Sequence, residues 1–295
     1  MKKAYLFPGQ GSQYKGMGKN HYRFDSTFTK RCDQADEVLG YSITEVMFDG
    51  SDADLSQTRY TQPALFLHAY ALYESLGHTP DMYAGHSLGE YTALAAAGVL
   101  TFEDALQTVR KRGELMQAAG EEQPGAMAAV IGLDDTLVEQ VCRGVSEEQE
   151  GTVGPANYNA KGQLVISGHE TAVESAAAKL KEAGAKLVKK LPVSGAFHSP
   201  LMEPASDKLN EIIDGLVFKT PRSFVYSNVT GEGSVDVDVL KDNVKRQLLC
   251  PVQWTRTLQT MFNDEARHFI EVGPGAVLQG LVKRTLKEAG ISGFQ

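Results

Sequence analysis

Apolar positions along the chain fall into two repeating patterns, short continuous runs and stripes at helical spacing. Ala4 to Phe7 is a short apolar run that stops at a glycine-rich turn, which reads as a buried strand. From Gln62 to Leu76, Leu65, His68, Ala69 and Tyr73 recur at helical spacing. Met82 to Gly85 is strand-like, and the alanine-rich stretch Leu88 to Ala97 directly after it reads as a helix. Another helix runs from Thr101 or Phe102 to about Ala119, with Thr101 as N-cap ahead of Glu103 and Asp104. Strands alternating with helices predict an α/β domain with a largely parallel sheet.

The middle of the chain has a different rhythm. Ala126–Ile131 reads as a strand, Asp134–Cys142 as a helix, and Gly154–Tyr158 and Leu164–Ser167 as strands. Glu170–Ala183 reads as a helix and Lys186–Leu191 as a strand. This βαββαβ order is the ferredoxin-like pattern. It predicts a small subdomain over residues 125–192, inserted in a discontinuous large domain of 1–124 and 193–295. The α/β rhythm then resumes with helices near Pro200–Ile213 and Val237–Leu249 and strands at Phe224–Ser227 and His268–Val272. A last helix runs from Ala276 to about Lys287.

Composition narrows the field. The chain has 295 residues, 42 % hydrophobic and 22 % charged, as in ordinary globular proteins. A net charge of −8 argues against nucleic-acid binding, which needs a basic face. No apolar run approaches the ~20 residues of a membrane span. The opening Met-Lys-Lys-Ala-Tyr-Leu-Phe is too short in apolar residues for a secretory signal. Cys32, Cys142 and Cys250 form no Cys-x-x-Cys pair, so no disulfide framework or cysteine-rich zinc site is expected, and a reducing cytoplasm is.

The sharpest chemical signal is Gly85-His86-Ser87-Leu88-Gly89, a G-x-S-x-G pentapeptide between a predicted strand and a predicted helix. Glycines flanking the serine permit a tight turn, and the helix N-terminus offers free N–H groups, Leu88 among them, to a developing oxyanion. An ordinary strand–helix turn with a serine N-cap carries the same letters. A nucleophilic serine needs a base. His86 is adjacent and points elsewhere in an elbow, His68 reads as a satisfied core histidine, and His21, His78 and His169 lie in polar, exposed stretches. His268 begins a strand. His198 lies in a glycine-containing loop at the domain junction, where catalytic groups tend to be held, and ranks first.

Two further features remain ambiguous on residue logic. Phe7-Pro8-Gly9-Gln10-Gly11-Ser12-Gln13 matches neither G-x-G-x-x-G nor a P-loop, because Tyr14, Met17 and Gly18 stand where those motifs need glycine, lysine and serine or threonine. It is either a plain turn or a second supplier of oxyanion donors. Ala105, Val109, Arg112 and Met116 form one helical stripe that Arg112 interrupts. A buried guanidinium needs an anion. An internal Asp or Glu and a substrate carboxylate answer that need equally well.

Together these segments resemble a family, the malonyl-CoA:acyl-carrier-protein transacylases, stand-alone acyltransferases of bacterial fatty-acid or polyketide synthesis. The resemblance runs from Phe7 to about Arg284. It rests on Phe-Pro-Gly-Gln-Gly-Ser-Gln at 7–13, Thr-Gln-Pro-Ala at 61–64, Gly-His-Ser-Leu-Gly-Glu-Tyr at 85–91, and Arg112-Gly113 with Met116-Gln117. Gly-Ala-Phe-His-Ser at 195–199, Arg246-Gln247-Leu248 with Pro251-Val252-Gln253-Trp254, and Glu-Val-Gly-Pro-Gly at 271–275 complete it.

The resemblance implies an α/β-hydrolase-like large domain with the ferredoxin-like insert, and the site in the cleft between them. It implies Ser87 as acylated nucleophile, His198 as base, and the main-chain N–H groups of Gln10 and Leu88 as oxyanion hole. Arg112 would hold the malonate carboxylate, the main-chain carbonyl of Gln247 would orient His198, and Gln62 and Met116 would line the site. Phe197 would crowd the malonate α-carbon. The expected reaction is ping-pong transfer of malonyl from malonyl-CoA to the thiol of a holo acyl carrier protein. No cofactor or metal is implied beyond coenzyme A as part of the substrate, nor any membrane or nucleic-acid partner, and the expected state is a monomer. Lys186, Lys189, Lys190, Lys283, Arg284 and Lys287 are candidate contacts for an acidic carrier protein. A trans-acting polyketide acyltransferase and an acyl-thioester hydrolase stay open as alternatives. Arg112 speaks against the hydrolase, and the intact Ser87, His198 and Arg112 set against a silent scaffold.

Overall fold

In the computed structural model, which describes residues 1–148, 150–193 and 195–295, the apolar runs pair into two sheets. In chain order the strands are β1 Lys2–Phe7, β2 Met82–Gly85, β3 Gly125–Ile131, β4 Val153–Ala160, β5 Gln163–His169, β6 Leu187–Lys190, β7 Phe224–Tyr226, β8 Gly233–Ser234, β9 Ala266–Val272 and β10 Gly290–Phe294. The larger sheet has the order β10-β9-β1-β2-β7-β8 and is parallel except for the β7–β8 hairpin. Alternate residues of its strands enter different cores. Tyr5, Phe7, Tyr83 and Val225 join one apolar cluster, and Ala4, Leu6, Met82, Ala84 and Tyr226 join another. Both faces are therefore covered, which is why these strands are short runs without polar alternation.

The smaller sheet has the order β4-β5-β3-β6 with every neighbour antiparallel, the βαββαβ arrangement expected. Ala126, Ala128 and Val130 face the helices Asp135–Glu148 and Glu170–Glu182. Met127 faces the opposite way, into the main core. The two parts also share main-chain bonds: the Tyr158 N–H donates to the Val252 carbonyl at 2.8 Å, and the Val252 N–H donates to the Ala156 carbonyl at 2.8 Å.

Several expectations need correction. The helix after β2 begins at Gly89, with Leu88 as its N-cap. The helix expected to reach Leu249 ends at Arg246, so Gln247 is its C-cap and carries one of the carbonyls a helix end leaves unpaired. The last helix stops at Thr285 because the chain must return to add β10. The helices Lys19–Phe24, Ser26–Leu39, Ile43–Phe48, Asp52–Ser56 and Trp254–Asn263 were not anticipated. No helix among the described residues is long and apolar enough to cross a membrane.

Candidate active site

The C-terminal ends of β1, β2 and β7 lie side by side, where open parallel sheets place their ligand crevices. Ser87 follows β2 at φ 51°, a left-handed conformation that non-glycine residues rarely adopt. The flanking glycines make the turn possible. A Cβ on Gly85 would sit 1.9 Å from the Gly89 carbonyl carbon, and one on Gly89 would sit 2.1 Å from the Phe7 oxygen. Asn228, just past β7, ties the turn from both sides. Its Oδ1 accepts the Ser87 N–H at 2.6 Å, and its Nδ2 donates to the Gly85 carbonyl at 2.7 Å.

Ser87 Oγ lies 2.8 Å from His198 Nε2. His198 Nδ1 faces the main-chain carbonyls of Gln247 and Cys250 at 3.0 and 3.1 Å. Carbonyls only accept, so Nδ1 carries the proton and Nε2 offers its lone pair to the serine hydroxyl. Burial, followed by the Arg112 cation, pushes the His198 imidazole down to about 3, which keeps it neutral. Among the described residues, the main-chain N–H groups of Gln10 and Leu88 have no acceptor.

Arg112 is fully buried, on the stripe that the sequence marked. Gly113 beside it lets its helix approach the Thr58–Leu76 helix closely: a Cβ there would lie 2.7 Å from the Thr58 oxygen. Arg112 Nη1 donates to Gln62 Oε1 at 2.9 Å, and Nη2 donates to Ser87 Oγ at 3.1 Å and Gln247 Oε1 at 3.0 Å. Gln62 Nε2 in turn donates to Met116 Sδ at 3.1 Å. The Tyr91 ring lies 5.5 Å from the guanidinium carbon. Among the described residues, Arg112 Nε has no hydrogen-bond partner, and Arg112 takes part in none of the ion pairs within 4 Å. Of the two readings left open for Arg112, the internal ion pair is therefore absent.

Ser87, His198, Arg112, Gln62, Met116 and Gln247 thus form one connected set; Leu88 follows Ser87 directly, and the Phe7–Gly9 segment that leads to Gln10 packs against the elbow. Phe197 is buried in the main core next to His198. Three contributors escaped the sequence reading: Asn228, the Cys250 carbonyl and Glu90. Glu90 is buried beneath the elbow and accepts from Gln247 Nε2 at 2.7 Å. Burial pushes its carboxyl up to about 7, against the pull of its hydrogen bonds and Arg112. Asn228 sits in a Ser-Asn-Val-Thr-Gly stretch that reads as an ordinary turn.

The other histidines stay away from Ser87. His86 turns to Asn159 Oδ1 at 2.8 Å and meets the Trp254 ring edge-on. His68 is in the core as expected, but both ring nitrogens lack partners among the described residues, so it is not satisfied. His21 stacks on Phe28 from within a helix instead of standing exposed. His268 is the third residue of β9. Lys190 is engaged with Glu170 and Glu174, and Arg284 with Gln163.

Comparison with known proteins agrees with this geometry. The family model described as acyl transferase domain matches residues 4–293. A Bacillus subtilis (strain 168) protein named malonyl CoA-acyl carrier protein transacylase is 44 % identical, over 99 % of this chain and 93 % of its own length. The crystal structure of an acyl carrier protein S-malonyltransferase from Vibrio cholerae O1 biovar eltor is 41 % identical with a TM-score of 0.95, covering 100 % of this chain and 97 % of that one. A malonyl-transacylase solved in complex with a type II polyketide acyl-carrier protein is 38 % identical with a TM-score of 0.95, over 99 % and 95 %. On the whole-length family match and these relatives, the chain belongs to the acyl transferase family, among the malonyl CoA-acyl carrier protein transacylases.

Proposed function

We propose that the protein transfers malonyl from malonyl-CoA to the phosphopantetheine thiol of a holo acyl carrier protein through a malonyl-Ser87 ester. His198 Nε2 takes the Ser87 proton as Oγ attacks the thioester carbonyl. The Gln10 and Leu88 N–H groups receive the oxyanion. Collapse of the intermediate breaks the carbon–sulfur bond, and the departing coenzyme A sulfur takes the proton from His198. The carrier thiol then gives its proton to Nε2 and attacks the ester, and Ser87 leaves with that proton. Arg112 holds the free malonate carboxylate throughout, and Phe197 limits bulk at the α-carbon. Coenzyme A enters and leaves as part of the substrate, and no resident cofactor or metal is assigned.

The observation that carries this reading is Arg112. It is a buried cation with no carboxylate within 4 Å among the described residues, and one of its N–H groups donates to Ser87 Oγ. A plain acyl hydrolase has no use for such an anchor. The same chemistry serves a polyketide carrier protein, which one of the solved relatives binds. In architecture, we read 1–124 and 193–295 as an α/β-hydrolase-like catalytic domain and 125–192 as the ferredoxin-like insert. We assign a monomer acting in the cytoplasm, with Lys186, Lys189, Lys190, Lys283, Arg284 and Lys287 as carrier contacts.

The test compares malonyl-CoA and acetyl-CoA as donors. Removing one partner of a buried charge pair costs about 2–5 kcal/mol. Arg112→Ala should therefore lose roughly 30-fold or more in malonyl kcat/KM and gain acetyl transfer relative to malonyl. Equal malonyl and acetyl rates in the unaltered enzyme would contradict the assignment.

A further inference from the structure

Glu90 lies three residues after the nucleophile, on the first turn of the Gly89–Ala97 helix, and is 1 % exposed. An exposed carboxylate at that position would complement the helix dipole through solvent. Every residue of this helix is buried, so the carboxylate must find its donors inside the protein. Oε1 accepts the Asn228 main-chain N–H at 3.3 Å, and Oε2 accepts Gln247 Nε2 at 2.7 Å. Gln247 Nε2 gives its other hydrogen to the Ser87 carbonyl at 2.8 Å. Both hydrogens of that amide are committed, so its orientation is set, and Oε1 is turned to Arg112 Nη2 at 3.0 Å.

We infer that Glu90 is a positioning residue that determines acyl specificity. By accepting from Gln247 it fixes the amide that holds Arg112 beside Ser87. With that amide between them, the guanidinium has no direct carboxylate partner among the described residues until the substrate brings one. This deepens the reading of Arg112 given above and rests on it. The Gln247 amide and the Asn228 N–H both donate to this carboxyl, and the Ser227 hydroxyl bonds it as well, a set that a carboxylate accepts from on both oxygens. A glutamine there sets its own NH₂ against one of them. Where that NH₂ faces Gln247, the amide loses its bond or turns over, and its own NH₂ then meets the guanidinium donor to donor.

The experiment measures acylation of Ser87 by malonyl-CoA and by acetyl-CoA and takes the ratio of the two rates. Glu90→Gln, Gln247→Met, the double variant and Arg112→Ala are compared with the unaltered enzyme. The ratio cancels any loss of serine or histidine competence. The inference expects Glu90→Gln to lower the malonyl:acetyl ratio by about tenfold, the scale of one buried charge-assisted bond. It also expects no further fall when Glu90→Gln is added to Gln247→Met, since the effect passes through that amide. If Glu90→Gln does not fold, Glu90→Asp is measured in both backgrounds against the same criteria, because its carboxylate is withdrawn from Gln247. Equal slowing of both donors with the ratio unchanged would overturn the inference, as would a full additional fall on top of Gln247→Met. If Arg112→Ala leaves the ratio unchanged, it is the reading of Arg112 that fails. A response to Arg112→Ala but not to Glu90→Gln refutes the role of Glu90 alone.

Discussion

At the scale of residues, the proposed base, His198, is oriented without a carboxylate among the described residues. Two main-chain carbonyls hold His198 Nδ1, and the nearest strong charge is the Arg112 cation, which opposes protonation of the ring. Both burial and Arg112 depress the His198 pKa, so the neutral base survives well into acid. Replacing Arg112 with Met removes one of these causes. The acid limb of Ser87 labelling by a fluorophosphonate, which needs no carboxylate anchor, should then move to higher pH by roughly one unit. An acid limb unmoved by Arg112→Met would show that the cation does not tune the base. Residues with distinctive local signals were legible in the sequence: Ser87 through its glycines, Arg112 through its interruption of an apolar stripe, His198 through its loop. Glu90 was not, because an acidic residue in a first helical turn is the ordinary choice there. Its burial comes from the sheet packed around the helix, which no local pattern records.

At the scale of elements, the site is built by chain breaks. The turn after β2 presents Ser87, and the early end of the Val237–Arg246 helix frees the Gln247 carbonyl. Ser87 pays a conformational cost for this, as φ 51° lies in the left-handed region. Left-handed backbone costs a non-glycine residue about 1–2 kcal/mol, part of which glycine gives back in the unfolded chain. Ser87→Gly should therefore unfold at higher denaturant than Ser87→Ala, by about 1 kcal/mol. The reverse order would mean that the elbow is unstrained. Strands and amphipathic helices were read within a few residues of their true ends because burial on one or both faces writes a period into the sequence. The helices from Lys19 to Ser56 were missed: Lys19–Phe24 buries no residue, and Ser26–Leu39 buries only Phe28, Cys32, Ala35 and Leu39 among its polar and charged positions. The strand β10 was missed because Gly-Ile-Ser-Gly-Phe is a half-exposed edge with little apolar pattern.

At the scale of the whole molecule, the two sheets meet through β4 and the segment after Cys250, the same segment whose carbonyl orients His198. Stability and acid sensitivity are linked through the buried histidines. His68 is pushed by burial from an ordinary 6.5 down to about 3. As pH falls below about 6.5 the unfolded chain takes up this proton and the native protein does not, so stability is lost progressively toward about pH 3. Glu90 acts with the opposite sign, since the native protein keeps a proton up to about pH 7 that the unfolded chain has released. His68→Leu forfeits no hydrogen bond, because neither ring nitrogen has a partner among the described residues. It should remove about 2 kcal/mol of the stability lost between pH 7 and pH 5, read from denaturant unfolding at the two pH values. An equal loss in variant and parent would place the acid sensitivity elsewhere.

In the proposed reaction a malonyl group is carried on Ser87 and handed to a carrier thiol. Intact-protein mass spectrometry after mixing with malonyl-CoA, with and without holo acyl carrier protein, tests it most directly. A single malonyl adduct is expected on the unaltered enzyme and none on Ser87→Ala, with the adduct discharged onto the carrier when the carrier is added. An adduct that decays to free malonate at the same rate with or without carrier, or no adduct at all, would contradict it.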